Sequence, residues 1–219
     1  MDEEQRFHRA AVQWTAGSRG ITAVAAVASA LAAGVDPRAV VLVEGISDQV
    51  ALEALAGRRG RDLDAEGTSI VPMGGATTIG HFLELLGPRG LDVRLAGLCD
   101  VGEEHAFRRG LERAGLGSNL TRESMESLGF YVCVADLEDE LIRSLGTAAV
   151  EQVVDAQGEL GSFRTFQNQP AQRGRAREAQ LRRFMGTRSG RKIHYARLLV
   201  EALDLTRVPR PLDAVIAHV

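Results

Sequence analysis

The chain has 219 residues, 45% of them apolar and 25% charged, and a formal net charge of −3. Those are the proportions of an ordinary globular protein long enough for one sizeable α/β domain. They exclude a membrane span, since no stretch approaches the roughly 18–20 uninterrupted apolar residues that one requires, and neither an internal repeat nor a low-complexity segment is present.

Residues 1–33 read as two helices broken at Gly17-Ser18-Arg19-Gly20. The apolar stretch Ile21 to Val35 begins too far into the chain for a signal peptide and reads as a buried helix. After the turn at Gly34-Val35-Asp36-Pro37 comes Val40-Val41-Leu42-Val43, a short continuous apolar run that predicts a fully buried parallel strand. It ends at Glu44 and Gly45, and Ser47 is the expected N-cap of a helix over 47–57. A polar loop at 58–67 leads to a strand at 69–73, the glycine turn 74–78 and a helix from His81 to Leu86. A third strand over Leu91–Cys99 stops at Asp100, and Glu103 to Ala114 is helical. A fourth strand over 129–134 stops at Asp136-Leu137-Glu138-Asp139-Glu140. The remainder is helical in pattern up to the turn Pro209-Arg210-Pro211 and a last short helix.

Alternation of strands and helices predicts an α/β fold, a four-stranded parallel sheet flanked by helices, with N-terminal helices (1–37), a sheet domain (38–146) and a basic C-terminal helical extension (147–219). Three of the four strands end in acids. Open parallel sheets bind ligands at the carboxyl ends of their strands, and carboxylates gathered there repel one another unless a cation neutralises them. Hard Mg²⁺ or Mn²⁺ suits such a donor set. The five histidines show no metal-ligand spacing, Ser47 has no histidine partner in view, and Gly74-Gly75-Ala76-Thr77-Thr78 lacks the lysine of a phosphate loop. The plainer reading leaves these acids as solvated loop residues. Cys99 and Cys133, both in predicted strands, suit a reducing cytoplasm as free thiols, a disulfide between neighbouring strands being the other reading.

Charge is unevenly spread. From Ser162 to Arg197 ten basic residues face one acid, so that segment carries +9 and the rest of the chain −12. Arg173, Arg175, Arg177, Arg182, Arg183, Arg188 and Arg191 are the candidates for holding a polyanionic backbone by charge, against the alternative of a solvated helix face. Phe163, Phe166 and Phe184 are spaced for core packing rather than base stacking. Of the 26 basic residues 25 are arginine, and the single lysine is Lys192. A compact ammonium does what a guanidinium does not, so Lys192 is a candidate for stabilising charge at a scissile phosphate.

The run Val41-Leu42-Val43-Glu44-Gly45-Ile46-Ser47-Asp48, followed by Gly97-Leu98-Cys99-Asp100-Val101-Gly102-Glu103-Glu104, resembles a TOPRIM (topoisomerase–primase) domain. Ala135 to Leu141 and Gly190 to Ala196 extend the likeness to the branch found in the overcoming-lysogenization-defect (OLD) nucleases, over roughly residues 38–219. The resemblance implies metal-dependent phosphodiester chemistry in the cytoplasm, with up to two ions and DNA as the foremost substrate. It implies Glu44 as metal ligand or general acid/base, Asp48, Asp100 and Glu138 as further metal ligands, and Lys192 as the basic catalytic residue. Where the family has the second aspartate of Asp-x-Asp, this chain has Gly102, so Glu103 or Glu104 is expected to supply that carboxylate. Larger members carry an ATPase ahead of the TOPRIM unit. No Walker motif occurs here, so the expectation is a free-standing nuclease or one working with a separate ATPase subunit. The alternatives are a non-catalytic nucleic-acid-binding or regulatory module with a degenerate metal site, or a primase-like or RNA-processing role.

Overall fold

A computed structural model describes residues 21–32, 37–188 and 190–219. The helix expected before Gly17 and the turn at Gly34-Val35-Asp36 lie outside them. In chain order the elements are α1 (Ile21–Ala32), β1 (Ala39–Val43), α2 (Ile46–Arg58), β2 (Thr68–Pro72), α3 (Ile79–Leu86), β3 (Arg94–Cys99), α4 (Glu104–Ala114), α5 (Arg122–Ser127) and β4 (Phe130–Val132). Six helices follow: α6 (Leu137–Leu145), α7 (Thr147–Ala156), α8 (Leu160–Gln167), α9 (Arg177–Met185), α10 (Arg191–Ala202) and α11 (Arg210–His218). The four strands form one parallel sheet in the order β2-β1-β3-β4.

All five residues of β1 are buried. Side chains alternate along a strand, so Val41 and Val43 enter one core while Val40 and Leu42 enter the other. Neither face is left to water, which is why the strand is a continuous apolar run. On one face lie Ala51, Leu52 and Leu55 of α2, with Leu141, Val150, Phe163, Leu181, Tyr195 and Val215 of the later helices. The opposite face is covered by Ala23 and Val27 of α1, Phe82 of α3, Phe107 and Leu111 of α4, and Met125 of α5. Two arginines, Arg58 at the end of α2 and Arg61 just beyond it, fasten the C-terminal helices. Arg58 donates to the carbonyls of Val200 and Leu203, each at 2.7 Å, and Arg61 donates to those of Ile216 and, at 2.9 Å, Val219.

Gly97 sits in β3 because nothing larger fits. A Cβ there would come within 2.6 Å of the Phe130 ring and 3.1 Å of the Leu42 carbonyl. Gly97→Ala is expected to lower stability by roughly 1–3 kcal/mol, read as a lower urea midpoint with an unchanged slope.

Several boundaries differ from expectation. β3 begins at Arg94, not Leu91, because the Leu91 and Asp92 amides turn back to the carbonyls of Leu85 and Gly87, leaving Leu91 exposed. β4 is only three residues long: past Cys133, whose amide reaches the Cys99 carbonyl, the Val134 amide donates to Glu140 Oε1 instead of a ladder partner. Residues 168–176 are not helical, and α11 starts within Pro209-Arg210-Pro211 rather than after it. Cys99 and Cys133 are buried and free, not bridged, and burial pushes both thiols well above their usual range.

Candidate active site

Strand order reverses between β1 and β3, since β2 lies on one side of β1 and β3 with β4 on the other. Such a switch point opens a crevice at the carboxyl ends of the two strands. Val43 pairs with Leu98, so Glu44 and Asp100 emerge side by side at that crevice. The Asp100 amide donates to Glu44 Oε1 at 2.7 Å and fixes the direction of that carboxylate. Asp48 stands in the first turn of α2. The helix opens at Ile46 with Gly45 as its N-cap, not Ser47, and Asp48 Oδ2 accepts the Gly45 amide at 2.9 Å. Glu138, the second residue of α6, is buried at 2% exposure. Its Oε2 lies 2.9 Å from Lys192 Nζ, and its Oε1 has no hydrogen-bond partner among the described residues.

The electrostatics are those of crowded carboxylates. Burial, then the charges of Glu44, Asp48, Asp136 and Glu138, push Asp100 up to about 8. Burial, with Glu44 and Glu138, pushes Asp48 up to about 7, against the Gly45 hydrogen bond and Lys192. Burial also raises Glu44. The Asp100 amide and Lys192 oppose that rise, while the charges of Glu103 and Asp136 add to it. Burial lowers the Lys192 ammonium, but Glu138, Asp136 and Asp48 outweigh it and leave the group above its ordinary value.

Comparisons with known proteins bear on the fold that carries these residues. Residues 37–101 match the family described as overcoming lysogenization defect protein-like, TOPRIM domain. This chain contains an OLD-like TOPRIM domain. Its fold is that of the C-terminal region of the Xanthomonas campestris pv. campestris OLD protein, at 22% identity and a TM-score of 0.65 over 83% of this chain and 91% of that one. The C-terminal region of the Burkholderia pseudomallei OLD protein is similar too, at 19% identity and a TM-score of 0.63 over 83% of this chain and 96% of that one. None of the curated proteins matches it in sequence.

TOPRIM domains generally bind divalent metals. Among the described residues no three Asp, Glu, His or Cys side chains form a ready-made cage for an ion. The residues nevertheless fit such an ion. Every acidic donor at the crevice is a hard oxygen, one oxygen of the buried Glu138 has no hydrogen-bond partner among the described residues, and burial and mutual repulsion hold Asp48 and Asp100 above their ordinary range, a rise that a bound cation would offset. Gly102 contributes no carboxylate, and a Cβ there would meet nothing within 4 Å. Of the two expected substitutes, Glu103 acts by charge on Glu44. Glu104 is turned elsewhere: Arg122 and Arg108 grip its carboxylate and hold it below its ordinary range.

One measurable consequence concerns pH. In the fold Asp48 and Asp100 keep their protons to about pH 7 and 8, whereas the unfolded chain releases them near pH 4. Over that interval the fold binds more protons than the unfolded chain, so metal-free stability is expected to fall as pH rises from about 4 to about 8. Mg²⁺ or Mn²⁺, binding the fold alone, is expected to blunt the decline. Asp100→Asn is expected to add about 1 kcal/mol at pH 8 without metal and to weaken the metal response. Melting temperatures in EDTA and in Mn²⁺ check this, and a metal-free curve that climbs between pH 5 and 8 contradicts it.

The basic residues of the C-terminal helical region divide into two groups. Arg173, Arg175, Arg177, Arg182, Arg183 and Arg188 are exposed. Arg173 and Arg175 stand in the turn before α9 and donate to the local carbonyls of Asn168 and Ala171. Arg177 pairs with Glu151 at 3.0 Å, Arg182 with Asp136 at 2.6 Å and Arg188 loosely with Glu159 at 3.8 Å. Arg191 is a correction: it is buried, donates to Glu159, Phe184 and Thr187, and lies over the Phe184 ring. A surface role for it is excluded by its burial. Phe163, Phe166 and Phe184 pack on one another in the core. Two acids are not among the expected site residues, Asp136 reading only as a strand-end acid and Glu159 not at all. Asp136 caps α6 through the Asp139 amide and its charge reaches Glu44, Asp100 and Lys192; its place three residues before Asp139 is the usual N-cap signal. Glu159 gathers Arg188, Arg191 and Tyr195 from distant positions, which no local pattern announces.

Proposed function

We propose that this domain hydrolyses phosphodiester bonds of nucleic acid, DNA foremost, in a reaction that depends on Mg²⁺ or Mn²⁺. The observation that carries the reading is the meeting of Glu44, Asp48, Asp100 and Glu138 with the lone lysine at one switch point. Glu44, Asp48, Asp100 and Glu103 would hold metal, with Glu138 beside them, and a bound divalent ion supplies activated water and offsets charge on the phosphate. Glu44, oriented by the Asp100 amide, is positioned to move a proton. Lys192 is a cation at the same crevice and stabilises charge that develops on the phosphate. Arg173, Arg175, Arg177, Arg182, Arg183 and Arg188 hold the backbone by charge without reading bases. The family resemblance adds a separate ATPase as partner, and two free buried thiols suit a cytoplasmic site of action.

The test is cleavage of supercoiled plasmid and of single-stranded DNA and RNA with each divalent ion. Lys192→Ala is expected to lose roughly 10²–10³-fold in rate, and Lys192→Arg is not expected to restore it, because a planar fork replaces a compact ammonium. One observation favours a second reading, a binding or regulatory module: Gly102 leaves the acidic motif one carboxylate short. Salt-sensitive nucleic-acid binding with no cleavage under any divalent ion selects that reading.

A further inference from the structure

A cavity of about 480 Å³ adjoins the carboxylates and has the opposite chemistry. Its wall is made by Gly45, Ile46 and Ser47 at the start of α2, by Pro72 at the end of β2 and Gly74 beyond it, and by Gly186, Thr187, Arg188, Gly190, Lys192 and Ile193 around the start of α10. Among the described residues no acidic side chain lines it. Arg188, with its side chain 67% exposed and only a 3.8 Å ion pair to Glu159, and Lys192 bring two cations to one side. From the other side come the Ser47 hydroxyl and the first-turn amides of α2, which have no carbonyl partner within the helix. α10 has no acid in its first turn and instead carries Arg191 and Lys192 there, an order its own dipole opposes. Glu138 pairs with Lys192 and Asp48 stands in the first turn of α2, but neither acid is in the cavity wall, so the groups that face the space are cationic or N–H and O–H donors and suit an anion. Gly45, Gly74, Gly186 and Gly190 leave that space open: added Cβ atoms at Gly186 and Gly190 would meet nothing closer than 3.5 Å.

We propose that this cavity is a phosphate subsite, holding the phosphate of the nucleotide next to the bond presented to Glu44 and Asp100. The inference rests on the nucleic-acid reading of the neighbouring crevice and specifies how the strand enters it. A volume of this size admits one nucleotide, within the usual range of ligand pockets. The strand therefore runs from the carboxylates past Lys192 toward Arg188, with one phosphate on the acidic, metal-dependent side and the next on the cationic side. That phosphate is either an internal linkage or the monoester at a strand end.

The test uses the full chain in EDTA, so that binding is read without cleavage. The probes are fluorescein-labelled single-stranded DNA 10-mers carrying a 5′-phosphate, a 3′-phosphate or neither, followed by fluorescence anisotropy. Gly186→Leu fills the cavity at a backbone conformation (φ −81°, ψ −2°) open to any residue, and its Cβ meets only the Arg183 carbonyl at 3.5 Å. Arg188→Glu reverses a wall charge. Each is expected to weaken binding at least tenfold with an unchanged melting temperature, and inorganic phosphate is expected to compete with the parent protein alone. A tenfold preference for one phosphorylated end assigns the site to a strand-end monoester; equal binding of all three, still lost in both variants, assigns it to an internal linkage. A folded Gly186→Leu protein that binds all probes within twofold of the parent overturns the subsite. Because no metal is present, that result leaves the cleavage reading standing, and a protein that binds as described but never cleaves overturns only the latter.

Discussion

Glu44→Gln is expected to abolish divalent-ion-dependent cleavage, lowering the rate by at least about 10³-fold, within the span for lost proton transfer and lost charge stabilisation. The substitution is nearly isosteric. A glutamine carbonyl still accepts the Asp100 amide that Glu44 Oε1 takes at 2.7 Å, so the backbone between β1 and β3 keeps its bond. What is removed is a negative charge that burial and the Glu103 and Asp136 carboxylates already disfavour. The variant is therefore expected to melt no lower than the parent in EDTA, which separates a chemical defect from a folding one. Plasmid nicking and melting curves measured on the same preparation decide it. A Gln variant that cleaves at the parental rate removes Glu44 from the chemistry and with it the proposed mechanism.

Arg191→Ala is expected to have the largest effect on stability, a loss of roughly 2–3 kcal/mol, because it removes a buried guanidinium with its packing and hydrogen bonds while its partner Glu159 stays partly exposed. Its side chain is 5% exposed and donates to Glu159 Oε1 at 2.8 Å, Thr187 Oγ1 at 2.6 Å and the Phe184 carbonyl at 3.1 Å. The guanidinium also lies 4.1 Å from the centre of the Phe184 ring. Truncation leaves Glu159 to the Tyr195 hydroxyl and the loosely held Arg188, while the Phe184 carbonyl keeps the Thr187 amide and hydroxyl as donors. Burial pushes Glu159 upward, and only the bonds from Arg191 and Tyr195 and the nearby guanidinium charges hold it below its ordinary range. Urea unfolding measures the loss. Arg173→Ala, on the exposed turn, is expected to stay within about 0.5 kcal/mol and to reduce the salt slope of nucleic-acid binding by about one contact. An Arg191→Ala protein of parental stability that binds nucleic acid poorly would return that residue to the surface.

The central strand was the most legible part of the sequence, because a run of four apolar residues has no exposed face to explain. Acids at successive strand ends announced the crevice, since parallel strands deliver their termini to one edge. The order β2-β1-β3-β4 was not written in any local pattern, yet it is what puts β1 between β2 and β3, so that Glu44 stands beside Asp100 while its carbonyl takes the Gly74 amide. Ends of β3 and β4 were overread because Leu91 and Val134 look like strand residues, whereas backbone turns and the Glu140 carboxylate claim the amides around them. Composition marked the basic segment correctly but gave no direction to its side chains. Arg191 and Arg173 are the same residue type, and only the helix phase of α10 and a glutamate 32 positions earlier turn one of them inward. Glu103 and Glu104 were likewise equivalent until Arg108 and Arg122 removed one of the pair.

The ion pair between Glu138 and Lys192 joins the start of α6 to the start of α10, and Lys192 stands about 150 positions after Glu44. Contacts so distant along the chain form late, after the loops between them have closed. A ribosome-bound chain that has already made β1 to β4 still lacks its ammonium, and the apolar flank of α2 that α10 covers is still bare. Whatever reaction this crevice performs is thus withheld from the growing polypeptide until α10 has been made and has docked against α2 and α6.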